Sequence, residues 1–214
     1  MANEEIREEN IKKVLKCAIE CFKVHGLELT TVTMVAKRAG LTTRSLQRYF
    51  GNKNNLVMQA MALLLNRSYI EIKNCFENES FLTMTGFEQI IEILKIRADH
   101  VKKHYEITIN ITELEVYFSK NNLSLGIFKK HMGDGTGYVE VASAAAIETA
   151  LQDGSIRKDI DKDIVFQMVT TAYKGLLQRV AFLYCDEKSQ QKTNPELLID
   201  SFITVLTAYL KNGC

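Results

Sequence analysis

The stretch that decides the fold is residues 31–53, TVTMVAKRAGLTTRSLQRYFGNK. It predicts two short helices joined by a tight turn, followed by a lysine that opens a third helix. Ala36 is small enough to let the second helix approach the first, and Gly40 can adopt the left-handed backbone conformation that a sharp helix exit requires. A small core inside the turn would be closed by Val32, Val35, Leu41 and Leu46. The spacing therefore predicts a compact helical corner.

Polar side chains are expected at the ends and on the outer face of this corner. Thr31, and then Thr42 or Thr43, are suitable N-caps because a hydroxyl can accept a free amide of the first helical turn. The outward positions of the second helix hold groups that bind base edges and phosphates. They are Thr43, Arg44, Gln47 and Arg48. A capped corner with such a face is typical of a DNA-binding helix-turn-helix, here at residues 31–50.

The charge pattern sets this segment apart from the rest of the chain. The whole protein is near neutral, with a formal net charge of +1, which argues against general polyanion binding. Between Glu28 and Glu71, however, there is no acidic residue, while six lysines and arginines fall inside that gap. A face that is basic by chance would explain a short run, but it explains a gap of 42 residues poorly. We expect a small basic module attached to a slightly acidic body.

Composition favours an all-α chain that remains in the cytoplasm. Pro195 is the only proline among 214 residues, and 46% of the chain is hydrophobic against 25% charged, as in ordinary globular proteins. No segment approaches the roughly 18 apolar residues of a membrane span. The first ten residues, MANEEIREEN, lack the apolar core of a signal peptide. The five cysteines show no CxxC pair, so free thiols are expected.

Helical periodicity continues to the end of the chain. A first helix is predicted over 4–25, with Gly26 ending it, and a long helix begins at Lys53 and reaches about residue 78. Further helices are predicted over 86–104, 106–119, 123–132, 138–153, 160–185 and 195–211.

The last two predicted helices are apolar on more than one side, so something must bury them. A homodimer with a four-helix interface is the economical explanation, and a single-chain core is the alternative. Gly175 would let a partner backbone come close. The predicted interface residues are Phe166, Val169, Leu176, Val180, Leu198, Phe202 and Val205.

Residues 10–60 resemble the tetracycline-repressor (TetR) family of bacterial transcriptional regulators. The rest of the chain is similar to the family only in length, helical character and the apolar terminal helix pair. Within the matching segment, the residues that fall where the family pattern expects them are Phe22, Gly26, Thr31, Ala36, Ala39, Gly40, Leu46, Tyr49, Phe50, Lys53 and Leu56.

The chain departs from the family pattern inside the second helix of the motif. Gln47 stands where the family usually has an aromatic residue that often touches the DNA backbone, so that contact is in doubt. A glutamine can instead read adenine or donate to a phosphate. Arg44 and Ser45 replace the usual small glycine, and Arg44 can supply a guanine contact. These differences suggest an operator of its own.

The resemblance implies a function for each part of the chain. Residues 1–52 would form a three-helix DNA-binding domain, and 53–214 a helical domain for ligand sensing and dimerisation. The protein would be a repressor that binds a palindromic operator in double-stranded DNA as a homodimer. A small-molecule effector would release it by shifting the long helix from Lys53. The alternative is a helical small-molecule-binding protein without specific DNA binding.

The resemblance also implies which side chains contact DNA. The base readers would be Thr43, Arg44 and Gln47. The phosphate contacts would be Thr31, Thr42, Arg48, Tyr49 and Lys53. For Tyr49, packing of the ring inside the corner is an equal alternative.

Aromatic residues of the larger domain are candidates for an effector pocket, although plain core positions explain them as well. They are Phe87, Tyr105, Tyr117, Phe118, Phe128, Phe166 and Tyr173.

Other chemistry is not indicated. His100 and His104 have a spacing that can hold a metal, but the sequence offers no third ligand nearby, so we expect no metal site. No catalytic constellation is present, so neither an enzyme nor a cofactor is expected.

Overall fold

The computed structural model describes residues 2–132, 137–186, 190 and 192–211. Its regular elements are all helical within these residues, which confirms the predicted all-α fold. The α-helices are α1 (Ala2–Leu29), α2 (Val32–Ala39), α3 (Thr43–Phe50), α4 (Lys53–Phe76), α5 (Glu79–Leu82), α6 (Gly86–Lys103), α7 (Tyr105–Lys120), α8 (Leu125–Met132), α9 (Tyr138–Gln152), α10 (Lys162–Gln167), α11 (Tyr173–Cys185) and α12 (Pro195–Lys211). A π-helical turn, Met168–Ala172, joins α10 to α11.

The chain forms two compact units. The first comprises residues 1–68 and 113–136, and the second comprises residues 69–112 and 137–214. Two helices therefore contribute to both units: α4 divides after Ser68 and α7 after Thr112. These units are defined by compactness alone. They do not test the predicted domain boundary after residue 52, which stays a prediction. No helix in the described residues is long and apolar enough to cross a membrane.

The first unit is built around the apolar face of α1. Val14, Ala18 and Phe22 recur at the spacing of an amphipathic helix and are almost completely buried. Gly26 has φ 73° and ψ 168°, so the helical path of α1 is interrupted there as the sequence predicted. The chain then makes one more short helical turn to Leu29 before α2 begins.

In the second unit, the backbones of α6 and α9 are in contact at Gly86, where any side chain would clash with α9. A Cβ added to Gly86 would overlap the backbone N and Cα of Ala150. The end of α9 also caps the start of α6, because the Asp153 carboxylate accepts the Gly86 N–H at 2.8 Å and the Ser155 hydroxyl accepts the Phe87 N–H at 2.9 Å. Ile90, Ile93 and Leu94 of α6 pack into this unit's core together with α9.

The helix predicted over 160–185 is helical from Lys162 to Cys185, but its middle, Met168–Ala172, is a π-helical turn that the prediction did not include. The buried Arg97 of α6 donates to the carbonyl oxygens of Val169 and Thr170 in that turn. Its guanidinium also lies 5.2 Å from the ring centroid of Tyr173. Periodicity could not reveal this feature, because neither proline nor glycine marks it and the arginine is 72 residues away along the chain.

The close approach of α6 to α9 generates the first prediction. Gly86→Ala should lower the free energy of unfolding by about 3 kcal/mol, the upper end of the usual cost of overpacking a core. Chemical denaturation monitored by circular dichroism measures the change. Gly126→Ala is the control, because its added Cβ would meet only the Ser124 hydroxyl at 3.3 Å. Equal stability of the two variants would contradict the packing described.

Candidate nucleic-acid interface

Three polar caps hold the corner between α2 and α3. The Thr31 hydroxyl accepts the Met34 N–H at 3.2 Å, and the Thr42 hydroxyl accepts the Ser45 N–H at 3.1 Å. Gly40 ends α2 in the left-handed conformation, with φ 67° and ψ 30°, and its N–H is donated back to carbonyls of the last helical turn. Of the two threonines considered for the N-cap of α3, Thr42 takes the position.

The inner face of the corner is apolar and closed. Ala36 and Leu46, which the sequence placed at the contact between the helices, are 3% and 1% exposed. Val35 is completely buried, and Phe50 at the end of α3 is 4% exposed. Because this face points inward, the helical repeat of α3 turns its other residues outward.

Arg44 and Gln47 are the side chains that this arrangement leaves for a ligand. Both are exposed on α3, three residues apart, and so is Thr43 in the first turn. Within the described part of the chain, neither the Arg44 guanidinium nor the Gln47 amide has a side-chain hydrogen bond or ion pair. A guanidinium and a primary amide can each form two hydrogen bonds to a base edge, to guanine and adenine respectively.

Three other cations of this region contact groups inside the protein. Arg38 donates to the Glu20 carboxylate at 2.6 Å. Arg48 lies beside Tyr49, with 3.5 Å between a guanidinium nitrogen and the hydroxyl oxygen. The half-buried ring of Tyr49 packs edge-on against Phe50 at 6.4 Å between centroids, so the packing role considered for it is present.

Lys53 is directed toward protein groups as well. Its ammonium donates to the backbone carbonyl of Glu28 at 2.6 Å and lies 5.6 Å from the ring centroid of Tyr117. Burial lowers the pKa of Lys53, while the Glu28 carboxylate acts in the opposite direction. The ammonium has three N–H donors, so one used by Glu28 leaves others for a phosphate.

Comparison with known proteins agrees with this geometry. A family model described as "Bacterial regulatory proteins, tetR family" matches residues 14–60, the segment that contains the capped corner. Residues 14–60 belong to the TetR family. They form the DNA-binding helix-turn-helix of a regulatory protein, as the residues predicted.

Individual relatives of this chain are distant in sequence. The probable acrEF/envCD operon repressor of Escherichia coli (strain K12) is 21% identical over 169 residues, which cover 78% of this chain and 74% of the relative.

Similar solved structures show the shared fold. FadR from Bacillus subtilis, in complex with stearoyl-CoA, has a TM-score of 0.63 and 17% identity, with 91% of this chain and 96% of that chain covered. A TetR transcription regulator from Haloarcula marismortui has a TM-score of 0.66 and 15% identity, with 95% and 97% covered.

The aromatic residues predicted for an effector pocket are divided between the two units of the chain. Tyr117, Phe118 and Phe128 belong to the first unit, with the helix-turn-helix, and all three are buried. Phe118 and Phe128 contact each other edge-on, with centroids 5.5 Å apart.

The other four predicted pocket residues belong to the second unit. Tyr173 is completely buried and donates to the Leu94 carbonyl at 3.0 Å, while Phe87, Tyr105 and Phe166 are half-buried. Aromatic periodicity alone could not distinguish the two groups.

The residues predicted for the dimer interface differ in how much surface they offer. Val169 and Val180 are completely buried within the single chain, so they have no surface left for a partner. Phe166, Leu176, Leu198 and Phe202 are half-buried, and Val205 is 63% exposed. The prediction overlooked three large apolar side chains of the same helices that are exposed, Ile164, Phe182 and Leu197.

The histidine pair gains a neighbour that the sequence did not reveal. The ring centroids of His100 and His104 are 5.2 Å apart, and Glu71 of α4 lies 3.9 Å from His104 Nε2. In the described residues, no group of three or more His, Cys, Asp or Glu side chains could hold a metal. Four of the five cysteines are free thiols, and Cys214 lies outside the described residues.

The partly buried His100 generates a prediction about pH. Burial, and then the neighbouring His104 and Lys103, lower its pKa, while Glu71 and Glu106 act in the opposite direction. The unfolded chain therefore takes up this proton more readily, at an ordinary pKa of about 6.5, and stability falls as the pH drops below that value. Urea unfolding should show a smaller stability loss between pH 7.5 and 5.5 for His100→Gln than for wild type. His25→Gln, at an exposed position, is the control and should show the same loss of stability as wild type. An equally large loss for His100→Gln would contradict the effect of burial.

Proposed function

We propose that this chain is a ligand-responsive transcriptional repressor that binds a palindromic operator as a homodimer and is released by a small-molecule effector. The observation that supports it most is the pair Arg44 and Gln47, exposed on a helix whose start and inner face are held by caps and packing. Among the described residues, neither has a side-chain partner. The family match over residues 14–60 and the repressor relative add the support that disfavours the alternative of a binding protein without DNA specificity.

The role of α3 is direct readout in the major groove. Arg44 would read a guanine and Gln47 an adenine close to it, because residues three apart on a helix are neighbours on one face. Thr43 would contribute to base readout at the start of the helix. Thr31, Thr42, Arg48, Tyr49 and Lys53 remain proposed phosphate contacts, and they would fix the position of α3 on the duplex.

The relatives support the regulatory part of the proposal. The Escherichia coli relative is named as a probable operon repressor, and FadR from Bacillus subtilis was solved with stearoyl-CoA. By analogy, the larger helical unit of this chain would bind a small organic effector whose binding weakens the DNA complex. Neither the family nor these relatives are enzymes, which agrees with the expectation that this chain has no catalytic activity.

Base readout by α3 is tested with full-length protein and a duplex selected from a random pool. Arg44→Ala should lower the affinity for that duplex by about 1–3 kcal/mol, roughly 5- to 150-fold, with little change for a scrambled duplex. Lys37→Ala, which removes an exposed cation of α2, is the matched control and should affect both duplexes equally. Fluorescence anisotropy measures both affinities. Unchanged discrimination by Arg44→Ala would refute its role as a base reader.

The homodimer is proposed to form through exposed apolar residues of α10, α11 and α12. Ile164 and Phe182 are 49% and 44% exposed, and Leu197 and Val205 are each 63% exposed. Gly175 is exposed, and a Cβ added there meets no atom of the described residues within 4 Å, which leaves room for a partner backbone. A two-fold interface uses the same patch on both chains, so these residues would be buried in each protomer.

A charge placed in this patch should prevent dimerisation. Val205→Asp is expected to sediment as a monomer, because a dimer would have to bury an unpaired carboxylate. Leu82→Asp is the matched control, since Leu82 is also 63% exposed but lies on α5. Analytical ultracentrifugation distinguishes the outcomes. A dimeric Val205→Asp protein would place the interface elsewhere, and a monomeric wild type would exclude the homodimer.

A further inference from the structure

One face of α7 makes two contacts, one with the end of α1 and one with the start of α4. The Glu113 carboxylate accepts the backbone N–H of Leu27, at the end of α1. One helical turn later, the Tyr117 hydroxyl donates to the Asn54 side-chain oxygen, in the first turn of α4, at 2.6 Å. Residues four apart lie on the same side of a helix, so both contacts come from a single surface. All of these residues belong to the first unit.

The end of α1 is shaped to receive the Glu113 carboxylate. At Gly26 a Cβ would lie 2.8 Å from Glu113 Oε1, closer than real Cβ contacts allow. The positive φ of Gly26 also disfavours any other residue there. The glycine therefore does more than interrupt α1, because it leaves the space in which the carboxylate reaches the Leu27 amide.

Both contacts are next to groups that surround the Lys53 ammonium. The Glu28 carbonyl that accepts the Lys53 ammonium follows directly after Leu27, and the ring near that ammonium belongs to Tyr117. Glu113 thus holds the backbone that carries the acceptor, and Tyr117 forms the other side of the ammonium's surroundings. A lysine side chain loses about 2 kcal/mol of rotamer freedom when fixed. Where the protein already restricts the ammonium, less of that loss remains when it binds a phosphate.

We propose that Tyr117 and Glu113 are positioning residues for DNA binding, which hold the ammonium of Lys53 and the end of α1 in the orientation that a phosphate contact needs. Tyr117 is 3% exposed, so it acts without touching the duplex. The proposal rests on the proposed function and adds two residues from α7, outside the segment that resembles the family. It also gives Tyr117 a role other than lining an effector pocket.

Substitution at Glu113 gives the most direct test. Glu113→Gln and Glu113→Ala remove the same charge, but only the glutamine keeps an oxygen that can accept the Leu27 N–H. Full-length variants are titrated with the selected duplex over a range of salt concentrations. We expect Glu113→Gln to keep the wild-type slope of log affinity against log salt, and Glu113→Ala to show a slope shallower by up to about one, the loss of one phosphate contact. Equal slopes for the two variants would overturn the role of Glu113.

A double-mutant cycle tests whether Tyr117 acts through Lys53. Lys53→Met should make the salt slope shallower by about one, and so should Tyr117→Leu, while the double variant should be no worse than either alone. Tyr117→Phe keeps the ring but loses the hydrogen bond to Asn54, so its slope should lie between those of wild type and Tyr117→Leu. Val116→Ala, at an exposed position next to Tyr117 on α7, is the control and should behave as wild type. Additive losses, or a wild-type slope for Tyr117→Leu, would overturn the proposal.

Circular dichroism establishes whether each variant is folded. If Tyr117→Leu is unfolded, the comparison of Glu113→Gln with Glu113→Ala alone tests the positioning role.

Two outcomes of these titrations have separate meanings. A wild-type protein that binds no duplex at any salt concentration would refute the proposed function itself. A wild-type protein that binds, with variants that all keep its slope, would refute only the positioning role.

Discussion

The capping of two very short helices is the constraint on which the DNA-binding surface depends. Helices α2 and α3 have eight residues each, too few to be stable in isolation. Thr31 and Thr42 satisfy free amides at their starts, and left-handed Gly40 turns the chain between them. With Leu46 buried against the corner, only one face of α3 can point to solvent, and it carries the groups that suit base edges.

Sequence reasoning succeeded where the determining interactions are local. Thr31, Gly40 and Thr42 act on residues within one helical turn, so their spacing was enough to predict both helices and the Thr31 cap, and to limit the second cap to Thr42 or Thr43. It failed where distant residues decide. The π turn is bound by Arg97 from α6, and Val169 is buried by the second unit's core. An apolar periodicity has no means of separating a core residue from an exposed one on the same helix.

The basic character of the module also has a different meaning once partners are known. Six cations lie in the acid-free stretch of the sequence, but the structure shows that they differ in their partners. Arg38 is paired with Glu20, and Lys53 is bound to the Glu28 carbonyl, whereas Arg44 has no such partner among the described residues. In the proposed DNA complex, Arg44 would supply readout and the bound cations would supply fixed geometry. Since α4 and α7 each continue into the second unit, the residues that fix this geometry lie on helices shared by both units.

Selection of bound sequences from a random duplex pool, with the full-length protein, tests the central claim most directly. A dimeric reader with Arg44 and Gln47 on each α3 should enrich a palindrome whose half-sites contain a G·C pair close to an A·T pair. The half-sites should lie one or more DNA turns apart, about 10–10.5 base pairs per turn. Enrichment of no sequence, or of a single site without two-fold symmetry, would contradict a homodimeric operator-binding repressor.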